Sequence, residues 1–270
     1  MLKSLLRTQR RPLTLRNLVD LPALRKLNEK VIKDLAETKQ RAAFREKLQL
    51  AVKSPSELGP DVVVPDNFSL SVKEVNLVVR ASLITFMLHV EARIASSAGQ
   101  GFYTIGPCGE ELLSAVGLSL APTDASALHY RHVGTAVMRQ LLAGRSVEEI
   151  VLDRARGYTV STQDPVAGGR HCAIGGSAYD FFVTSTLSSQ CCPAVGRAQG
   201  VAMARALKAP SLFPKDAISF VSLGDGSANN GHFLSALNLA EYSAHHNIKV
   251  RKNQGYLMLF AFLINTSLIG

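Results

Sequence analysis

The sequence predicts an α/β protein with a mostly parallel sheet and helices on both faces. Residues 217–223 read Ala-Ile-Ser-Phe-Val-Ser-Leu, an apolar run typical of a strand that is buried on both sides. Helical patterns precede and follow this strand, and helical crossovers are the connections that a parallel sheet requires. With 270 residues, 47% of them apolar and 19% charged, the chain is long enough to bury such a core.

Apolar periodicity predicts the helices in order along the chain. They cover residues 71–97, 109–121, 132–143, 146–156, 189–207 and 232–245. Ser146 and Glu149 have the spacing of a capping box, which predicts the start of the fourth of these helices. Residues 157–183 are rich in Gly and predict a long loop, which in a compact domain is usually functional or disordered.

Positive charge is concentrated at the N-terminus. The formal net charge is +9, and residues 1–53 hold 14 Lys and Arg against 5 Asp and Glu, which accounts for the whole excess. A nucleic-acid-binding domain carries its basic charge on the folded core. The neutral remainder of the chain therefore argues against a nucleic-acid partner.

The N-terminal region divides into a leader and a linker. Residues 1–20 form a predicted mitochondrial presequence, because the first nineteen contain Leu and Arg at helical spacing and no acid. An ordinary basic helix is the alternative. Residues 21–68 comprise a charged helix over 22–53, outside the main core, and a linker rich in Pro and Gly. This leader predicts the mitochondrial matrix as the location; a bacterial chain would be cytoplasmic.

The four cysteines show no C-x-x-C spacing, and Cys191 and Cys192 are adjacent. Neighbouring cysteines do not easily pair with each other, so the spacing gives no sign of a disulfide framework or a zinc site. We interpret them as reduced cysteines of an intracellular protein.

The most informative stretch follows the buried strand. It reads Gly224-Asp-Gly-Ser-Ala-Asn-Asn-Gly231 and leads into a helix. Ligands bind at the carboxyl ends of strands in open α/β sheets, and a helix N-terminus favours an anion. A carboxylate at Asp225 beside a phosphate needs a cation between them, and Mg²⁺ suits that place. The sequence therefore predicts a magnesium-diphosphate site; a plain turn is the alternative.

Together with the strand, this stretch resembles the thiamine-diphosphate motif of transketolase-like enzymes, which closes with an Asn after a second strand. Three upstream segments are similar, in the same order, to the alpha subunit of branched-chain 2-oxo acid dehydrogenase. These segments are residues 102–117, 129–134 and 182–196, and the resemblance covers about residues 90–248. It implies a thiamine-diphosphate-binding fold.

The resemblance also implies a set of site residues. Those implied to bind the cofactor are Tyr130, Arg131, Ser185, Leu187, Asp225, Gly226 and Ser227. Asp225 would hold magnesium, and a possible potassium site comprises Thr184, Ser189 and Gln190. The bland alternatives are a core aromatic for Tyr130, a surface arginine for Arg131 and a polar helix cap for the potassium set. No catalytic acid–base residue is assigned, and His171 is excluded because the family's histidine aligns with Gly175.

The implied function is oxidative decarboxylation of a branched-chain 2-oxo acid, with transfer of the acyl group to a lipoyl arm of a transacylase core. In this family a beta subunit completes an α2β2 heterotetramer and supplies the glutamate that activates the cofactor. The alternatives are a pyruvate dehydrogenase alpha subunit, a transketolase-like sugar transferase, and an inactive subunit that acts only by binding its partner.

The C-terminus departs from the family. Residues 69–248 form the partial cofactor-binding domain, and residues 249–270 form a tail without family counterpart, so the fold is expected to be incomplete there. Residues 248–252 stand where the second strand belongs, but they carry three charges, which predicts that no strand forms and no cofactor is held. The codons of residues 249–251 can contain a splice donor, so a retained intron and a true variant tail are both open. A membrane anchor over residues 256–269 is disfavoured, because the stretch is short and interrupted by Asn265.

Overall fold

The computed structural model describes residues 36–52, 70–102, 105–169, 175–181, 186–245 and 258–263. Within these ranges the helices are α1 (Ala36–Val52), α2 (Val72–Ser97), α3 (Val133–Leu142), α4 (Val147–Thr159), α5 (Cys191–Leu207) and α6 (Gly231–His245). The strands are β1 (Ala125–Ala127), β2 (Ser219–Gly224) and β3 (Met258–Leu263). Three short segments are 3-10 helices, namely Glu110–Ser119, Ser161–Gln163 and Asp225–Ser227.

The three strands form a parallel sheet in the order β1-β2-β3. Successive side chains of the central strand β2 alternate between two cores, as the pleat requires. Phe220 packs on one side with α2 and α3, whereas Val221 and Leu223 pack on the other with α5 and α6. The predicted α/β class, with helices on both faces of a parallel sheet, is confirmed for the described residues.

Most of the predicted helices form close to their expected bounds. The Ser146 capping box is present: the backbone N–H of Glu149 donates to Ser146 Oγ over 3.2 Å, and that of Ser146 donates to Glu149 Oε2 over 2.9 Å. The helix that it starts, α4, continues to Thr159, three residues beyond the predicted end. Of the charged helix predicted over residues 22–53, the described part is α1. None of its described side chains belongs to either core, and Arg41 pairs with Glu91 of α2.

The helix expected over residues 109–121 is present, but it is not an α-helix. Residues 110–119 form a 3-10 helix instead. Its carbonyl groups are taken up by hydroxyl groups of the neighbouring helices: Ser82 Oγ donates to Glu111 O over 3.1 Å, and Thr135 Oγ1 donates to Leu113 O over 2.8 Å. These tertiary hydrogen bonds compete with the i→i+4 pattern, and periodicity alone cannot reveal them.

The C-terminal tail supplies a strand. Residues 258–263 pair in parallel with β2, from Ser219 opposite Met258 to Gly224 opposite Leu263. The expectation that β2 lacks a following neighbour is therefore wrong, because the apolar run Met-Leu-Phe-Ala-Phe-Leu of the tail pairs with it. Residues 248–252 themselves lie outside the described residues.

Helix α2 is long and apolar enough to cross a membrane by length and composition, and in the part of the chain that the structure describes it is the one helix that meets this test. Ala81, Leu88 and Ala92 of this helix lie in the first core, against α3. These side chains are buried within the protein, and 28% of the apolar, membrane-length window of α2 is buried in all.

A buried ion pair holds α3 against β1. Arg139 of α3 pairs with Asp180, whose Oδ1 atom also accepts from Ser126 Oγ of β1 over 2.9 Å. The same guanidinium group donates to the carbonyl oxygens of Pro122, over 3.0 Å, and of Asp124. Because α3 directly follows the loop after β1, this pair fixes where that loop lies.

We expect Asp180→Ala to destabilise the fold by about 3–5 kcal/mol, because it leaves the buried Arg139 without its counter-charge. The matched control is Glu91→Ala, which breaks the half-exposed pair with Arg41 and should cost about 1 kcal/mol or less. Urea unfolding of the three proteins measures the difference. Equal losses in the two variants would show that the Arg139 pair does not anchor α3.

Candidate cofactor-binding site

Two motif segments meet at the carboxyl edge of the sheet. Strands β1 and β2 are parallel, so the loop after β1, residues 128–132, and the turn after β2, residues 225–227, leave the sheet at the same edge. A Cβ atom added to Gly224 would lie 3.9 Å from His129 Nε2, so the two segments are close neighbours. The sequence placed both segments at a ligand site, and the fold brings them together.

Ser222 of β2 connects these segments. Its Oγ atom accepts a hydrogen bond from the backbone N–H of His129 over 2.9 Å and lies 2.8 Å from His132 Nδ1. Its carbonyl oxygen accepts from Gln190 Nε2 over 2.8 Å. One buried strand residue therefore holds the loop after β1 and the start of α5.

The segment before α5 is joined to the turn after β2 by a second serine. Ser188 is buried, and its Oγ atom donates to Ser227 O over 3.1 Å. Its φ angle of 58° is in the left-handed region, which a residue other than Gly adopts only where the surroundings require it. The hydrogen bond to Ser227 stabilises Ser188 in this left-handed conformation.

The turn after β2 presents a carboxylate to solvent. Asp225 and Gly226 are exposed, whereas Ser227 is buried at 2% exposure. Helix α6 begins at Gly231, and Asn230 Oδ1 accepts from the backbone N–H of His232 over 2.9 Å. An exposed carboxylate beside a helix N-terminus fits a metal-bound anionic group, because the metal joins the carboxylate to the anion that the helix favours.

Tyr130 and Arg131 lie in the loop at the same edge. Arg131 Nη1 donates to Gly106 O over 2.9 Å and to Cys108 Sγ over 3.2 Å, so this side chain is held by the protein and is not a free surface arginine. The guanidinium carbon lies 5.4 Å from the centroid of the Tyr130 ring. Tyr130 is half-buried and packs at the border of the first core, so it shares the character of a core aromatic.

Of the remaining predicted site residues, the structure describes only some. Leu187 is 47% exposed, and Ser189 is half-buried. Gln190 stands at the N-cap position of α5 without a side-chain capping bond, because its amide donates to Ser222 instead. Ser185 and Thr184, like His171, lie outside the described residues, so the potassium site stays a prediction.

The structure adds a cluster that the sequence reasoning missed, formed by Glu110, His129 and His132. His132 Nε2 lies 3.1 Å from Glu110 Oε2, which is an ion-pair distance, but neither atom makes a hydrogen bond. Burial, and then the neighbouring His132, lower the pKa of His129 to about 4, so its ring is neutral at neutral pH. The two histidines that flank Tyr130-Arg131 were the available signal.

The cysteines of the described residues are free, as predicted. Cys108 is exposed, Cys191 is buried and Cys192 is half-buried. Burial raises the pKa of the Cys191 thiol to about 11, so it remains protonated at neutral pH. Cys172 lies outside the described residues.

A parallel sheet with an exposed carboxylate, a helix N-terminus and a held arginine at its carboxyl edge fits the class of proteins that bind a metal-complexed phosphorylated cofactor. The family of dehydrogenase E1 components matches residues 80–259, more than half of the chain, and the chain belongs to this family. No curated protein matches it.

Membership gives the general activity, that of an E1 component of a 2-oxo acid dehydrogenase and thus of an oxidoreductase. Proteins of the family normally bind thiamine diphosphate with a metal and work with a beta subunit in a multienzyme complex. The match continues past residue 249, into the segment that the sequence reasoning treated as foreign to the family.

We expect Ser222→Ala to destabilise the fold by about 1–3 kcal/mol, because it leaves the buried N–H group of His129 without an acceptor. It should also weaken cofactor binding, since the loop after β1 loses its attachment. Ser219→Ala is the control: its hydroxyl group bonds to Ala194 O on the opposite face of the same strand. Urea unfolding and calorimetric titration measure the two effects, and an equal loss of affinity in both variants would contradict a positioning role for Ser222.

Proposed function

We propose that this chain is the alpha subunit of a branched-chain 2-oxo acid dehydrogenase and that it binds magnesium and thiamine diphosphate at the carboxyl edge of its sheet. The observation that carries the proposal is the meeting of three motif segments there. The loop after β1, the segment before α5 and the turn after β2 are joined through Ser222 and Ser227. They are the segments that resemble the family's cofactor-binding motifs.

Two side chains at this edge suit the magnesium-diphosphate end of the cofactor, and two other residues are proposed to lie beside its aminopyrimidine ring. Asp225 offers an exposed carboxylate for magnesium, and Arg131 offers a planar group of donors for the diphosphate. Arg131 Nη1 donates hydrogen bonds to Gly106 O and Cys108 Sγ. These bonds hold the guanidinium group in place before a ligand binds. Leu187 and Ser185 are the proposed neighbours of the aminopyrimidine ring.

When bound, thiamine diphosphate supplies the carbanion and the electron sink for decarboxylation, so the protein's part is to bind, orient and exclude water. This chain contributes the diphosphate end of the site. A beta subunit contributes the glutamate that activates the cofactor, and a transacylase core receives the acyl group on its lipoyl arm. The proposed assembly is an α2β2 heterotetramer.

The strand β3 changes the expectation for the C-terminus. The sequence predicts loss of cofactor binding because the strand after β2 would be missing, and with it the second arm that grips the metal. Strand β3 supplies a strand at that place. We therefore propose that the 270-residue chain holds the cofactor when a beta subunit is present. The competing hypothesis is that the chain is an inactive subunit, which binds its partner but not the cofactor.

We expect Asp225→Ala to abolish binding of magnesium and thiamine diphosphate to the complex of this chain with a beta subunit, because the diphosphate loses the cation that links it to the protein. Asp216→Ala is the control, since Asp216 is also exposed and lies before β2, at the opposite edge. Isothermal titration calorimetry measures both. Unchanged affinity in Asp225→Ala would refute the magnesium assignment, and no binding by the unaltered chain would identify an inactive subunit.

Activity measurements on the complex of this chain with a beta subunit test which 2-oxo acid is the substrate. Decarboxylation of a branched-chain 2-oxo acid should have a higher kcat/KM than that of pyruvate, whereas the reverse order would make the chain a pyruvate dehydrogenase subunit. The potassium set Thr184, Ser189 and Gln190 belongs to this proposal, because the resemblance ties it to the branched-chain members.

We also propose the mitochondrial matrix as the location, on the basic, acid-free residues 1–19. Isolated mitochondria should import the chain and cleave it before about residue 40, an estimate from the usual length of such leaders. A chain that stays uncleaved outside the organelle would leave the ordinary basic helix as the explanation.

A further inference from the structure

We propose that Glu110, His129 and His132 form a binding site for one transition-metal ion, of the class of Zn²⁺ or Co²⁺, which is separate from the magnesium site at Asp225. One ligand atom from each residue lies within 4.8 Å of the other two. His129 and His132 are buried at 7% and 1% exposure, and Glu110 is half-buried. The inference does not depend on the proposed function.

Two buried atoms of this cluster that make no hydrogen bond carry the argument. His132 Nε2 and Glu110 Oε2 are buried without a hydrogen bond, although they lie 3.1 Å apart. Buried polar atoms are rarely left without a partner. A metal ion bound between these two atoms would be a partner for both.

The separation agrees with a metal centre. Zinc binds nitrogen and carboxylate oxygen at about 2.0–2.2 Å, so two ligands of a tetrahedral ion lie about 3.3 Å apart. The distance of 3.1 Å between His132 Nε2 and Glu110 Oε2 is close to that value. The ring nitrogen that His129 contributes lies within 4.8 Å of these two atoms.

The second nitrogen of His132 is arranged as a metal-ligating histidine requires. His132 Nδ1 lies 2.8 Å from Ser222 Oγ, and a ring that donates from Nδ1 keeps the Nε2 lone pair for an ion. In that tautomer Ser222 Oγ accepts from Nδ1, and Ser222 is the outer partner that orients the ring. Two imidazole groups and one carboxylate favour Zn²⁺, Co²⁺, Ni²⁺ or Cu²⁺ over Mg²⁺ and Ca²⁺, which prefer oxygen ligands.

Such an ion would join three elements beneath the cofactor site. Glu110 begins the 3-10 helix 110–119, both histidines belong to the loop after β1, and Ser222 belongs to β2. The histidines flank Tyr130 and Arg131, so the ion would fix the backbone that carries both residues. Its role is therefore structural, and it positions the loop without contacting the reacting atoms.

The test is a titration of the full 270-residue chain, freed of metal by a chelator, with Co²⁺ in the presence of excess Mg²⁺. We expect one equivalent of Co²⁺ to bind, to give the visible absorption of a tetrahedral ion and to be displaced by Zn²⁺. His132→Gln and Glu110→Gln remove ligands, so each should weaken binding by more than the roughly 10–100-fold that loss of an outer partner causes. Ser222→Ala should fall within that range.

Three control variants should keep the site. His232→Gln removes an exposed histidine, Cys108→Ser removes the exposed thiol near Arg131, and Asp225→Asn removes the proposed magnesium ligand. Retained Co²⁺ binding in Asp225→Asn, together with loss in His132→Gln, separates the two metal sites. The proposal is overturned if the unaltered chain binds no Co²⁺, or if the ligand variants bind it as well as the controls do.

A measurement on the unaltered chain covers the case in which the ligand variants do not fold, which circular dichroism would reveal. X-ray absorption of the zinc-loaded chain should show a shell of nitrogen and oxygen with two imidazole groups. A shell that contains sulfur, or one of oxygen alone, would overturn the proposal. None of these outcomes bears on calorimetric binding of thiamine diphosphate, so the two proposals succeed or fail separately.

Discussion

Ser222 is a polar residue in the middle of a strand that is covered by helices on both faces, and the arrangement of the site follows from what its polar atoms require. A buried hydroxyl or carbonyl group without a partner destabilises a fold, so each must be matched by a donor or acceptor from another element. Those partners are the backbone of His129, the ring of His132 and the amide of Gln190. Satisfying one strand residue therefore brings the loop after β1 and the start of α5 to the same edge.

The two faces of β2 have different tasks, which the alternation of its side chains separates. Val221 and Leu223 pack against α5 and α6 in an apolar core, and Ser219 adds a bond to Ala194 on that side. On the other face Phe220 packs against α2 and α3, and Ser222 meets the histidines. The helices that cover the sheet are thus fixed by packing, whereas the loops of the site are fixed by polar contacts, which have defined directions.

The loop after β1 is restrained from both of its ends. Its first half is attached to Ser222, and α3 at its far end is held by the buried pair of Arg139 and Asp180. Tyr130 and Arg131 lie between these restraints, and Arg131 is further held by Gly106. A loop with so little freedom presents its side chains in a set geometry, so little ordering remains when a charged ligand binds.

The sequence by itself determined the elements whose signals are local. The apolar run of β2, the capping box at Ser146 and the turn at Gly224-Asp-Gly226 depend on residues close in the chain, and all three lie where they were expected. The resemblance of the flanking segments added the candidate site residues, because their order along the chain is itself specific. The family match agrees with that resemblance at the level of the E1 component.

Only the tertiary structure decided what depends on distant partners. The conversion of residues 110–119 to a 3-10 helix follows from hydroxyl groups on α2 and α3, and the pairing of β3 with β2 follows from the need of a buried strand edge for a neighbour. The cluster of Glu110, His129 and His132 spans the start of the 3-10 helix and the loop after β1, and that loop is held by Ser222, ninety residues beyond the second histidine. Such contacts join residues far apart in sequence, so no local pattern records them.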